Sequence, residues 1–229
     1  MYYPNCTCPD GSTPDKEPVK PEMSYIRFLN AIPNQPEIVI DIYVNRKLVV
    51  KNLKYEDFTE YIPAKSGVYN VQIYPAGNHT EQLLDIRIKT EPDKIYTAAA
   101  IGTINNVELE VFEDKYIEDS ASNAYMRFAN LSPDSPGLNI FIDDVPVVYD
   151  LQYLEVTDYL KLSDGKHTMK VERADNNERV ISHPNMVLKN GYIYTSYMVG
   201  LVNGEPFIQV LIPLDGSSYI KTNDQDWYF

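Results

Sequence analysis

The sequence predicts an all-β protein, two tandem antiparallel β-sandwiches behind an extended N-terminal arm, and three observations carry that reading. Residues 25–36, YIRFLNAIPNQP, recur at 125–136 as YMRFANLSPDSP, identical at six of twelve positions; unrelated segments would share about one. Within each copy the apolar residues alternate with the period of strands. Between the alternating runs lie turn-formers, and no amphipathic helix separates them.

The repeat runs well beyond its opening block. Leu53, Tyr55, Thr59, Tyr61 and Gly67 match Leu151, Tyr153, Thr157, Tyr159 and Gly165, and Ala76, Tyr96, Thr97 and Gly102 match Ala174, Tyr194, Thr195 and Gly200. The offset drifts between 98 and 100, as small loop insertions between fixed elements would cause. A period this long belongs to folded domains, because solenoid repeats run roughly 20–50 residues. The expected organisation is an arm at 1–23, a first sandwich at 24–114, a linker at 115–123, a second sandwich at 124–215 and an aromatic tail at 216–229.

Taken in order, the arm carries five prolines (Pro4, Pro9, Pro14, Pro18, Pro21) and few apolar residues, a composition that holds a chain extended. Strands follow at 24–30 and 38–44. In the second of these, Ile38, Ile40, Ile42 and Val44 fall on one face, and Val39, Asp41 and Tyr43 on the other. Its counterpart at 138–142 repeats the pattern with Leu138, Ile140 and Ile142. Further strands are expected at 47–51, 57–62, 68–74, 84–89, 94–103 and 107–113, with turns at Asn45-Arg46, Lys65-Ser66-Gly67, Pro75 to Asn78 and Glu91-Pro92-Asp93. A helical turn fits only near 53–58 and its copy at 151–156. Each copy closes its own core, with Phe28 and Phe128 inside.

Composition narrows the function classes. With 33 acids against 20 bases the net charge is −13, which repels nucleic acid and anionic lipid alike. No apolar run reaches the ~20 residues of a membrane span, and the first residues lack the basic and apolar regions of a signal peptide. The expectation is synthesis in the cytoplasm without a signal peptide, followed by deposition on a spore or cell surface.

An Arg-Phe-x-Asn strand, a Pro-x-x-Pro turn, an alternating strand ending in Val-Asn or Ile-Asp, a Gly-Val-Tyr or Gly-Lys-His edge and a late Tyr-Thr…Gly strand together resemble the bacterial DUF4397 domain, in two copies. The resemblance implies an Ig-like or transthyretin-like β-sandwich of cell-surface and extracellular proteins. The commoner family form has His-Ala-Ser-Pro-Asp after the first strand. Asn-Ala-Ile-Pro-Asn (30–34) and Asn-Leu-Ser-Pro-Asp (130–134) stand there in this chain.

Motifs of catalysis are missing from the sequence: there is no Gly-x-Ser-x-Gly elbow, phosphate loop or His-Glu-x-x-His pair. His79, His167 and His183 occupy non-equivalent places and read as surface or filler residues. The pairs Glu56-Asp57 and Asp143-Asp144 read as exposed charged turns, because a calcium site needs six to eight oxygens. No metal, no cofactor and no enzymatic activity are expected. For Arg27 and Arg127 two roles stay open, a structural one with the guanidinium on a carboxylate or loop carbonyls, and a ligand-binding one.

Two features point to association instead. Cys6 and Cys8, the only cysteines, sit in the arm and suit cross-links between molecules. Trp227, Tyr228 and Phe229 end a polar tether, and 19 tyrosines supply sticky contact area, so these aromatics read as interaction residues. The first expectation is a structural surface protein, such as an endospore outer-layer component, that self-associates through its arm. The alternative is a tandem adhesion or carbohydrate-binding module with a surface glycan as ligand.

Overall fold

The structure, a computed structural model, describes residues 22–34, 36–118 and 122–221. Cys6, Cys8, Trp227, Tyr228 and Phe229 lie outside the described residues.

The first copy supplies eight strands: β1 (Met23–Asn30), β2 (Ile40–Val44), β3 (Lys47–Leu53), β4 (Ile62–Lys65), β5 (Gly67–Pro75), β6 (Leu84–Thr90), β7 (Ile95–Thr103) and β8 (Asn106–Glu113). They form two facing sheets, β4-β1-β7-β8 and β3-β2-β5-β6. The second copy repeats this with β9 (Ala124–Asn130), β10 (Leu138–Ile142), β11 (Val145–Leu151), β12 (Leu160–Leu162), β13 (Gly165–Arg173), β14 (Arg179–Leu188), β15 (Ile193–Val199) and β16 (Gln209–Leu211). Its sheets, β12-β9-β15-β16 and β11-β10-β13-β14, have the same strand order element by element. The chain is all-β, two β-sandwiches in tandem.

Repeat identities that the sequence shows but does not explain acquire causes. Thr59 and Thr157 each accept the backbone N–H of the core phenylalanine, Phe28 at 2.9 Å and Phe128 at 3.0 Å. Asn30 and Asn130 donate to the Leu53 and Leu151 carbonyls and accept the N–H two residues on, closing the turn after the first strand of each copy. The hydroxyls of Tyr96 and Tyr194 accept the N–H groups of Glu91 and Lys189. Gly102 and Gly200 have φ of 87° and 93°, and a Cβ at either would strike a backbone carbonyl, that of Asn106 in the first copy and of Phe207 in the second.

Two expectations need correction. The sheets are not purely antiparallel: β1 pairs with β7, and β9 with β15, in parallel. The chain between them passes through the opposite sheet and so returns in the same direction. Parallel pairs of this kind are buried on both faces, and β1 and β7 are buried almost throughout. The second correction concerns 57–62. Most of that stretch is a loop with a single bridge, Leu29 to Phe58, and the strand begins only at Ile62. The helical turn suggested at 53–58 is an irregular turn with Glu56 at φ 69°.

Each sandwich has its own apolar core, around Phe28, Ile42 and Ile73 in the first and Phe128, Ile140 and Val171 in the second. A third core belongs to both. Leu29, Ala99, Ile101 and Phe112, on the outer face of the β1/β7 sheet, pack against Ala129, Leu131, Tyr197 and Val199 of the β9/β15 sheet. The four sheets therefore stack as layers, with the two β1/β7-type sheets innermost. After β16, a 3-10 turn at Gly216–Ser218 docks on the first sandwich, where the Gly216 N–H donates to the Tyr61 hydroxyl at 2.9 Å.

Because the third core joins the copies, heat should unfold the molecule in one cooperative transition. Phe28→Ala should cost about 3–5 kcal/mol and shift that single transition. Two resolved calorimetric transitions, only one of which moves, would mean that the halves fold independently.

Candidate functional site

At the centre of the stack lies a buried polar group built twice from equivalent residues. In the first copy Arg27 Nε donates to Thr97 Oγ1 at 2.9 Å, and Thr97 Oγ1 donates to Asp114 Oδ2 at 2.9 Å. In the second, Arg127 Nε donates to Thr195 Oγ1 at 2.8 Å, and Thr195 donates to Asp215 at 2.8 Å. Tyr61 donates to Asp114, and Tyr159 donates to Asp215 at 2.5 Å. The Arg27 guanidinium lies 4.7 Å from the Tyr61 ring centre and that of Arg127 4.8 Å from Tyr159.

Each arginine also crosses into the other copy. Arg27 Nη1 donates to the Leu214 carbonyl and Arg127 Nη1 to the Glu113 carbonyl, both at 2.8 Å. Arg127 Nη2 donates to Asp114 Oδ1 at 2.8 Å, whereas Arg27 Nη2 stands 3.6 Å from Asp215 Oδ1. The exchange is reciprocal, as at a two-fold interface, but tighter on one side. These arginines take the structural role, with their carboxylates supplied across the copy boundary.

Burial sets the electrostatics here. Asp215 is pushed up to about 7, first by burial and then by the charge of Asp114, against the pull of Arg127. Burial, with the neighbouring Asp114 and Asp215 charges, also raises the Tyr61 and Tyr159 phenols, and Tyr197 is pushed up to about 12. Burial opposes the charge on Arg127, but Asp215, Tyr159, Tyr197 and Asp114 outweigh it and keep the guanidinium ionised. The group is inward-facing and closed to solvent, and only Arg27 Nη2 and the Tyr197 hydroxyl within it lack a hydrogen-bond partner. Its chemistry is that of a lock.

An exposed site of different character occupies the outer face of the first copy's β3-β2-β5-β6 sheet. Alternation along β5 turns Asn70, Gln72 and Tyr74 outward, beside Tyr43 of β2 and Asp85 and Arg87 of β6. Asn45 and Arg46, at φ 50° and 65°, are the central residues of the β2–β3 hairpin, the left-handed pair that a two-residue turn requires. Asn45, Arg46, Asn70, Gln72, Asp85 and Arg87 line an open depression of about 360 Å³. Asp85 accepts from the Asn70 amide and, at 3.0 Å, from Gln72 Nε2. The Asn70 bond first, then Gln82, Gln72 and the nearby Arg46 charge, hold its carboxyl below the ordinary Asp range. Alongside, Tyr43, Tyr74 and His79 form an edge-to-face cluster with ring centres 5.4 to 6.2 Å apart, and the Tyr43 hydroxyl lies 3.1 Å from His79 Nδ1.

The family profile described as "Domain of unknown function (DUF4397)" matches residues 24–140 and 124–218. The chain belongs to the DUF4397 family. No curated protein matches it. Among solved structures, a family CBM26 module from Eubacterium rectale, in complex with maltoheptaose, is 10% identical with a TM-score of 0.26, over 85% of this chain and 99% of that one. A streptococcal virulence factor, described by its alpha-glucan binding, is 10% identical with a TM-score of 0.28, over 86% and 99%. A putative adhesin from Bacteroides ovatus is 10% identical with a TM-score of 0.27, over 87% and 94%.

The two DUF4397 copies share the lock but not the depression. In the second copy, register places Thr168 and Lys170 where the first has Asn70 and Gln72, Phe141 for Tyr43, and Asp143-Asp144 for Asn45-Arg46. There Lys170 pairs with Asp144 across the face. Asp143 accepts the Thr168 N–H at 2.8 Å and meets His167 Nδ1 at 2.6 Å, and His167 is buried with its other nitrogen on the Ser163 carbonyl. Asp143-Asp144 is thus a hairpin turn, as expected, and His167 is a filler with fixed partners. Glu56, also in a turn, accepts from Gln209 of the other copy. Among the described residues no group of three or more His, Cys, Asp or Glu could hold a metal, and no helix is long and apolar enough to cross a membrane.

The raised Asp215 makes stability fall with rising pH. Unfolded, its carboxyl titrates near the ordinary 3.8, and folded near 7. Between those values the folded protein keeps a proton that the unfolded chain has lost, so the contribution present in acid disappears as pH climbs. Asp85, Asp143 and Asp175 shift downward, and their contributions vanish only at the acid end. Denaturant melts from pH 4 to pH 7 should show Asp215→Asn reducing this downward slope; a variant with the wild-type slope would place the proton elsewhere.

Proposed function

We propose that the chain is a non-enzymatic binding protein of the adhesion type, and that the outer face of the first copy's β3-β2-β5-β6 sheet holds a saccharide. The observation that carries the reading is the preset polar array of Asn70, Gln72 and Asp85 beside the Tyr43–Tyr74 ring pair. A sugar ring offers hydroxyls that donate and accept at once, together with a face of C–H groups. Planar amides and a carboxylate match the hydroxyls, and aromatic rings match the C–H face.

Three of these groups are tied together by their own hydrogen bonds on a strand framework, so little ordering remains to be done on binding. The depression is open, which suits a segment of a longer glycan better than a small molecule enclosed on all sides. Asn70 and Gln72 retain donor and acceptor capacity beyond their bonds to Asp85. The second copy lacks this array and serves as the support that the shared core fixes in place.

A saccharide array probed with the full chain, followed by titration calorimetry, tests the proposal. Binding should raise the melting temperature. Gln72→Ala should weaken it about tenfold, as the loss of roughly one polar contact implies, with the fold intact. Lys170→Ala, on the matching face of the second copy, should leave it unchanged. An array without a saccharide ligand, or equal losses from both variants, would contradict the assignment.

A further inference from the structure

The chain has six arginines. Arg27, Arg127, Arg173 and Arg179 each meet a carboxylate, on Asp215, Asp114, Asp175 and Glu172. Arg46 and Arg87 close no ion pair among the described residues, although acids outnumber bases 33 to 20. These two arginines line the same depression. Asp85, the one carboxylate there, is already bonded to Asn70 and Gln72.

We infer that the saccharide held on this face carries a carboxylate, bound by the guanidinium groups of Arg46 and Arg87. The inference rests on the saccharide reading and names the ligand class for that site. A guanidinium presents two parallel N–H donors whose spacing fits the two oxygens of a carboxylate, and such charge-assisted pairs are stronger than neutral hydrogen bonds. Arg46 projects from the left-handed hairpin turn, and Arg87 stands on β6 opposite Asn70. Asn70, Gln72 and the tyrosine pair then remain for the sugar's hydroxyls and its C–H face.

Comparison of the copies separates this role from a structural one. Arginines needed for folding recur in both copies, as Arg27 and Arg127 do. At the matching place in the second copy the turn carries Asp143-Asp144, and Lys170 neutralises Asp144 directly. Arg46 acts on Asp85 from a distance, but neither arginine forms an ion pair among the described residues, and no arginine stands at the matching turn of the second copy. Two natural sources offer the required chemistry, uronic acids and sialic acids, and the same fork serves either.

The test compares carboxylated probes with neutral counterparts on the full chain: oligogalacturonate against its methyl ester, and sialyllactose against lactose. At least one acid should bind about tenfold or more tightly than its neutral partner, and which one does so identifies the source. Arg46→Gln and Arg87→Gln should each erase most of that preference. Arg87→Lys, which keeps the charge but loses the fork, should recover only part of it. Equal affinity for acid and neutral forms, or a preference for a sulfated galactan without carboxylates, would overturn this inference and leave the saccharide site standing. Failure of every saccharide, neutral ones included, would overturn both.

Discussion

Two buried arginines, each anchored in one copy and bonded into the other, are the constraint on which the arrangement of this protein depends. An ionised guanidinium taken out of water is costly unless its donors are met, and in each copy one strand supplies part of the answer through Thr97 or Thr195. Most of the rest comes from the opposite copy, as the Glu113 or Leu214 carbonyl and the carboxylates of Asp114 and Asp215, while Asp215 of its own copy also stands 3.8 Å from Arg127. Separating the sandwiches would leave charges half-solvated beside an apolar patch of Leu29, Ile101, Phe112 and Tyr197. The polar lock and the third core therefore enforce the same geometry, one giving register and the other burial.

This geometry decides where a ligand can act. The inner sheets are covered on both faces, so their side chains are committed to packing or to the lock. Only the end sheets of the four-layer stack keep a face toward solvent. Their strands are held by the cores beneath, which leaves most of their outward residues outside the apolar packing. On the first end sheet those residues assemble into a polar and aromatic array with two arginines outside any ion pair among the described residues; on the second Lys170 pairs with Asp144. Duplication thus supplied a rigid body, and divergence of one outer face supplied the candidate site.

Much of the fold was legible in the chain. Alternation located most strands, and the repeat gave the tandem organisation, because both depend on local pattern. The parallel β1–β7 and β9–β15 pairs were not legible, since strand order is decided by contacts about seventy residues apart. The lock was half visible: Arg27/Arg127, Tyr61/Tyr159 and Thr97/Thr195 all stand out as repeat identities. Its carboxylates escaped notice because Asp114 and Asp215 are 101 apart, just outside the drift of the rest. The depression is spread over outward positions of two strands and a turn, and being unrepeated it left no trace in the comparison of copies. The signal that would have found it is the run of outward polar residues Asn70, Gln72, Asp85 and Arg87 within strands whose inward residues are apolar.

A double-mutant cycle across the copy boundary, Arg127→Met combined with Asp114→Leu and read by denaturant unfolding, addresses the central claim most directly. Either substitution alone strands a buried charge and should cost about 3–5 kcal/mol. The pair removed together should cost far less than the sum, because an apolar contact replaces the ion pair. Costs that simply add would show that Arg127 and Asp114 do not act on each other, and that the two copies are held together by something other than this exchange.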